Sequence, residues 1–116
     1  MDNHAVFEGR IDKKGHYSDG IPIYVISLKK ESADGFPAVD GTRNDITLVV
    51  SGRKFVAGTR STEKSPDVRI CQDMLDADGH SLRLSELLLD NGFCSRDKVR
   101  LVANNNVVTL LSRRCG

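Results

Sequence analysis

The chain has 116 residues, a mass of 12.8 kDa and a formal net charge of +1 from 17 basic and 16 acidic side chains. That length supports one domain over residues 1–116 with a single modest core, and 39% hydrophobic with 28% charged residues describes a folded chain rather than a disordered one. Near-zero charge excludes a molecule-wide field as the basis of nucleic-acid binding, so any basic surface has to be local.

His4 to Ile11 alternates loosely and predicts a first strand, followed by turn regions at Lys13-Lys14-Gly15-His16 and Ser18-Asp19-Gly20. Ile21 to Leu28 is the strongest strand signal, rich in β-branched and aromatic residues, with Pro22 near its start where a missing amide does least harm. Glu31 to Asn44 reads as a long loop punctuated by Asp34-Gly35, Pro37 and Asp40-Gly41. Ile46 to Val50, a Ser51-Gly52 turn and a strand through Phe55 and Val56 form a hairpin. A polar loop, Thr59 to Asp67, leads to a short apolar run at Val68-Arg69-Ile70.

Gln72 to Gly79 is ambiguous: Met74-Leu75 can end a short helix or turn, and Asp78-Gly79 is a sharp reversal. Leu82 to Leu89 predicts a helix whose Leu84, Leu87 and Leu88 share one face, with Ser85 as its cap and Asn91-Gly92 as its stop. A competing reading makes Ser81 to Leu84 a short strand before a helix of barely two turns. Lys98 to Val102 and Val107 to Leu111 form a last hairpin turned by Asn104-Asn105-Asn106, since Asn tolerates the left-handed region. The whole predicts a mainly β (α+β) fold: a small open barrel or pseudobarrel of about seven strands with one or two short helices.

No apolar run approaches the ~20 residues of a membrane helix, and Met1-Asp2-Asn3-His4, without a cationic stretch leading into an apolar one, predicts no secretory signal. Cys71, Cys94 and Cys115 are odd in number and lack C-x-x-C spacing, which predicts reduced thiols in a soluble cytoplasmic protein.

Motifs for catalysis are wanting. His4, His16 and His80 lie in polar or terminal segments without a local nucleophile motif. Asp76-Ala77-Asp78-Gly79 begins like a calcium loop, but the position twelve from Asp76 is Leu87 where a bidentate Glu is required, so it reads as a turn. His80 and Cys71 are too separated for a closed zinc site, and Gly52 and Gly58 lie in β context without the following helix of a phosphate loop. The sequence therefore predicts a protein that is not an enzyme and carries no cofactor or metal.

Cation placement is more informative. Lys29, Lys30, Arg43, Arg53, Lys54, Arg60 and Lys64 fall at strand ends or in loops of the middle third, with Asn44, Ser61 and Thr62 beside them. Should the two loops meet at one end of a curled sheet, Lys and Arg there neutralise phosphates while hydroxyls and amides set register, and Arg43 or Arg60 has the fork that reads a guanine edge. On charge alone an ordinary solvated surface explains the same residues, because Glu31, Asp34, Asp40, Asp45, Glu63 and Asp67 are interspersed.

The element order resembles a B3-like DNA-binding pseudobarrel, the type found in plant transcription factors and in restriction-endonuclease DNA-recognition domains. Tyr24 to Lys30 as the opening strand, Ile46 to Val50 with Gly52-Arg53-Lys54-Phe55 as central hairpin, the polar arm Thr59 to Lys64, and Leu84 to Gly92 before the Asp97-Lys98-Val99 strand entry carry the likeness. It spans about Ile21 to Leu111; Arg96 stands where that entry usually has Gly, and aromatics are sparse. The resemblance implies a non-catalytic module in a restriction or transcription-regulatory system that grips the major groove of double-stranded DNA with two arms, one bearing Lys29, Lys30 and Arg43, the other Arg60, Ser61, Thr62 and Lys64. The alternative is a protein-interaction domain, an adaptor or inhibitor, that offers an exposed sheet edge to a partner strand.

Overall fold

The computed structural model describes residues 4–62, 64 and 66–111, and among these eight strands and one short α-helix build the fold. In chain order these are β1 (His4–His16), β2 (Pro22–Lys29), β3 (Asn44–Val50), β4 (Arg53–Arg60), β5 (Asp67–Leu75), β6 (Ser81–Arg83), α1 (Leu84–Asp90), β7 (Lys98–Asn104) and β8 (Val107–Leu110). A 3-10 turn, Lys30–Ser32, follows β2. The sheet order is β2-β1-β7-β8-β3-β4-β5-β6, and β2 also pairs with β5. The mainly β barrel of seven strands expected from the sequence is therefore what forms, and its ring is closed rather than open; β6 extends β5 outside it. All pairings are antiparallel except β3 with β8.

The β2 signal has a direct structural cause: Tyr24 to Leu28 are all buried, because this strand is covered on both faces. In β3 the alternation puts Ile46, Leu48 and Val50 into the barrel, where they meet Phe55 and Ala57 of β4. The β3–β4 hairpin closes through Ser51 (φ 51) and Gly52 (φ 78), the two left-handed residues that match the right-handed twist of the strands. Asn105 turns β7 into β8 with φ 54, as expected of Asn.

Each end of the barrel is stoppered. At one end Phe36, from the loop after β2, is buried edge-on against Phe7 with ring centroids 5.2 Å apart. At the other, α1 runs from β6 to the β3–β4 turn, where the Ser51 hydroxyl donates to Asn91 Oδ1 at 2.8 Å. Leu84, Leu87 and Leu88 join the core. The helix ends in a Schellman motif: Phe93 N–H donates to the Leu88 carbonyl at 2.9 Å and Gly92 N–H to that of Leu89 at 3.0 Å, with Gly92 at φ 81.

Several expectations need correction. Lys13 to His16 is not a turn but the end of β1, where the pairing with β2 slips register around Gly15 (φ 125). The ambiguous Gln72 to Leu75 belongs to β5, with Met74 facing the core. Ser81 to Arg83 is a strand, so the competing short-helix reading describes this region. Ser85 is consequently inside α1 rather than capping it: the N-cap is Arg83, which supplies no side-chain bond, and the Ser85 hydroxyl is fully buried without a partner among the described residues.

That hydroxyl sets up a clear test. Ser85→Ala is expected to leave stability unchanged or raise it by about 1 kcal/mol, since it removes an unsatisfied buried group, whereas loss of a cap costs about 1 kcal/mol; the urea midpoint measures the sign. Arg96 offers a second, because it holds φ 72 in the tight turn entering β7. Arg96→Gly is expected to raise the unfolding free energy by about 0.5–1 kcal/mol in the same titration, the left-handed penalty less the extra entropy of an unfolded Gly.

Candidate nucleic-acid interface

The two polar loops meet at the end of the barrel that Phe36 closes. Gly41 N–H donates to the Ser61 carbonyl at 2.8 Å, Asp40 and Ser61 form a parallel bridge, and Lys30 N–H donates to the Pro66 carbonyl at 2.9 Å. The side chains repeat the stitch. Ser61 Oγ donates to Asp40 Oδ1 at 2.7 Å, while Lys30 Nζ lies 3.2 Å from that carboxylate and donates to the Thr62 carbonyl at 2.6 Å. Beneath them, Thr59 Oγ1 and Asn44 Nδ2 both donate to the Pro37 carbonyl, at 2.7 and 3.3 Å.

This geometry divides the predicted contact residues. Lys30, Asn44 and Ser61 hold the loops to one another and to the barrel, so their polar atoms are engaged inside the protein. Lys29, Arg60, Thr62 and Lys64 are exposed along the shared rim, Thr62 with its carbonyl bound to Lys30. Arg53 stands apart: it opens β4, whereas Arg60 ends it, so the two lie about 23 Å apart at opposite ends of the strand. Its guanidinium rests 5.1 Å from the Phe55 ring centroid. The rim that the two loops build does not contain it.

A bulge creates the most distinctive feature. Ile70 pairs with Thr59 and Met74 with Ala57, so Cys71, Gln72 and Asp73 of β5 together oppose Gly58 of β4. The surplus residues lift the strand outward, and a recess of about 380 Å³ opens beside them. Arg43 fits this irregularity. Its guanidinium lies against Gly58, where any Cβ would overlap it, and its Nη2 donates to the Asp73 carbonyl at 3.1 Å. Only Gly leaves space for that approach. Nε of Arg43 also stands 3.5 Å from Asp45.

Arg60 and Arg69 share the recess with Arg43 and are directly cross-strand neighbours in the β4–β5 pairing. Both are exposed, and neither has an ion-pair partner among the described residues. Asp67 and Asp73 line the same recess, leaving the guanidiniums in the majority. Cys71 registers the environment: burial pushes its thiol up, while Arg43, Arg60 and Arg69 pull the other way. Sequence reading missed Arg69. Alternation in Val68-Arg69-Ile70 already puts it on the outer face, but only the strand pairing puts it beside Arg60.

Elsewhere, Asp76, Asp78 and His80 offer ligand atoms within 4.8 Å of one another, yet the Asp76 carboxylate is occupied in the turn, accepting the amides of Asp78 and His80 at 2.9 Å each. Cys71 and Cys94 are free thiols; Cys115 lies outside the described residues. Among the described residues no helix is long and apolar enough to cross a membrane. Comparison with family models, with curated proteins and with solved structures finds no match.

The stitch between the loops depends on Asp40. Hydrogen bonding from Ser61, and then from Lys30, holds its carboxyl below the ordinary value of 3.8. A depressed folded-state value means that the stitch is fully present above pH 3.8 and is lost as pH falls through the lower folded value. The Gly41 amide resonance is therefore expected to titrate below pH 3.8, and Asp40→Ala is expected to abolish that titration and speed Gly41 exchange at neutral pH.

Proposed function

We propose that the protein is a non-catalytic double-stranded DNA-binding module, with the recess and the stitched loops as its contact surface. The observation that carries this reading is the juxtaposition of Arg60 and Arg69, exposed and without carboxylate partners among the described residues, beside the rim that bears Lys29 and Lys64. Free guanidiniums on a rigid strand pair suit phosphate contact and bidentate recognition. Stitching the loops lowers the ordering entropy that binding has to overcome.

The likeness to B3-type domains gains support from Arg96. The position where those domains usually carry Gly takes φ 72, a conformation that Gly adopts without strain. Membership of a restriction or transcription-regulatory system is part of the same proposal.

A protein-interaction module is the second reading, favoured by an apolar row on the outer surface. Val56 and Leu75 are cross-strand neighbours, 42% and 40% exposed, and Thr47 links Val56 to Val107, which is 43% exposed. Strand addition at an open edge has little room, because ring closure leaves the outer side of the three-residue β6 as the edge at the end of the sheet.

Fluorescence anisotropy of a labelled random duplex, titrated at several salt concentrations, tests the first reading. Affinity is expected to fall steeply with salt. Arg60→Ala is expected to lower the log–log salt slope by about 1 if it meets a phosphate, or to cost about 1–3 kcal/mol at one base position if it reads an edge. Flat anisotropy at low salt, with one protein copurifying, favours the second reading.

A further inference from the structure

We propose that Arg43, Arg60 and Arg69 form a seat for a single phosphate group above the β5 bulge. This deepens the nucleic-acid reading and rests on it only for the source of the phosphate, a backbone phosphodiester rather than a free phosphate.

Two features point to a bound oxyanion. First, Arg60 and Arg69 face each other directly across β4 and β5, a placement in which like charges repel at roughly 5 Å between Cβ atoms. Interspersed carboxylates relieve such pairs on an ordinary surface, but among the described residues no carboxylate reaches either guanidinium. An anion bridging the two turns the repulsion into paired attraction. Second, Arg43 is preset. Its guanidinium is pinned between Gly58, the Asp73 carbonyl and the Asp45 carboxylate, which engage Nη2 and Nε, so the third fork of the recess is already ordered and offers Nη1. The two non-bridging oxygens of a phosphodiester splay tetrahedrally and each carries more than one lone pair, enough to accept from all three forks. Asp67 and Asp73 border the recess as well, which disfavours a second anion and restricts the seat to one.

The seat takes Arg43 and Arg60 from the arm residues predicted from sequence and adds Arg69. It lies on the outer face of a strand pair, and its geometry originates in three β5 residues opposing one β4 residue.

Thermal melting of the full chain in inorganic phosphate, against chloride at matched ionic strength, is the test. Phosphate is expected to raise Tm logarithmically with its concentration, by about 5 °C at roughly ten times its dissociation constant, and to shift the Nε–H resonances of Arg43, Arg60 and Arg69 together and saturably. The exposed double variant Arg60→Gln/Arg69→Gln is expected to lose the logarithmic rise and the saturable Arg43 shift, keeping only the small linear effect of an excluded salt. Arg100→Gln, on the exposed face of β7, is expected to retain it. An equal rise in chloride, or a logarithmic rise with a saturable Arg43 shift surviving in the double variant, overturns the seat. Anisotropy with duplex DNA on the same preparations separates the two proposals. A phosphate response without duplex binding upholds the seat and refutes the nucleic-acid source; duplex binding without a phosphate response overturns the seat and leaves the DNA-binding reading standing.

Discussion

Pairing of β2 with β5 is the constraint on which the rest of the molecule depends. Only four residue pairs, from Ile26 with Ile70 to Lys29 with Asp67, convert a curled sheet into a closed ring. Closure buries β2 on both faces and gives the core an interior enclosed by strands. It also fixes where the connections emerge. The chain leaves β2 at Lys29 and enters β5 at Asp67, directly opposite, so the loop after β2 and the loop before β5 have to run side by side. Their mutual hydrogen bonds through Lys30, Asp40 and Ser61 follow from that placement.

The same closure accounts for the bulge. β5 is shared between β2 on one side and β4 on the other, and its pairing with β4 resumes at Met74 only after three residues have been accommodated opposite Gly58. Gly58 and Arg43 are then coupled: the absence of a side chain lets the guanidinium lie on the backbone, and the guanidinium covers a carbonyl at the bulge. A structural irregularity thereby becomes the best organised cationic feature of the molecule.

Much of the fold was legible because local chemistry and tertiary context agree. Ile21 to Leu28, the Ser51-Gly52 turn, Asn105 and the Asn91-Gly92 stop each carry a residue preference that the final structure satisfies. Where reading failed, tertiary context intervened. Ser85 has cap chemistry, but β6 continues to Arg83 and moves the helix start, so the hydroxyl ends up inside the helix. Met74 and Leu75 look helical by composition, and pairing with Ala57 and Val56 makes them strand.

Sequence by itself determined the elements: the alternation of apolar residues, the turn glycines and asparagines, and the leucine face of α1 are properties of short segments and act within a few residues. It also determined that any basic surface had to be local, since charge is a sum that folding does not alter. Tertiary structure alone decided which cations act together. Lys30 and Ser61 became stitches, Arg53 went to the far end of β4, and Arg69 came beside Arg60, because strand register sets neighbours across segments distant in sequence. Alternation and turn chemistry set register within a hairpin such as β3–β4, but across the long connection and bulge between β4 and β5 it is burial in the whole barrel that selects which residues face each other.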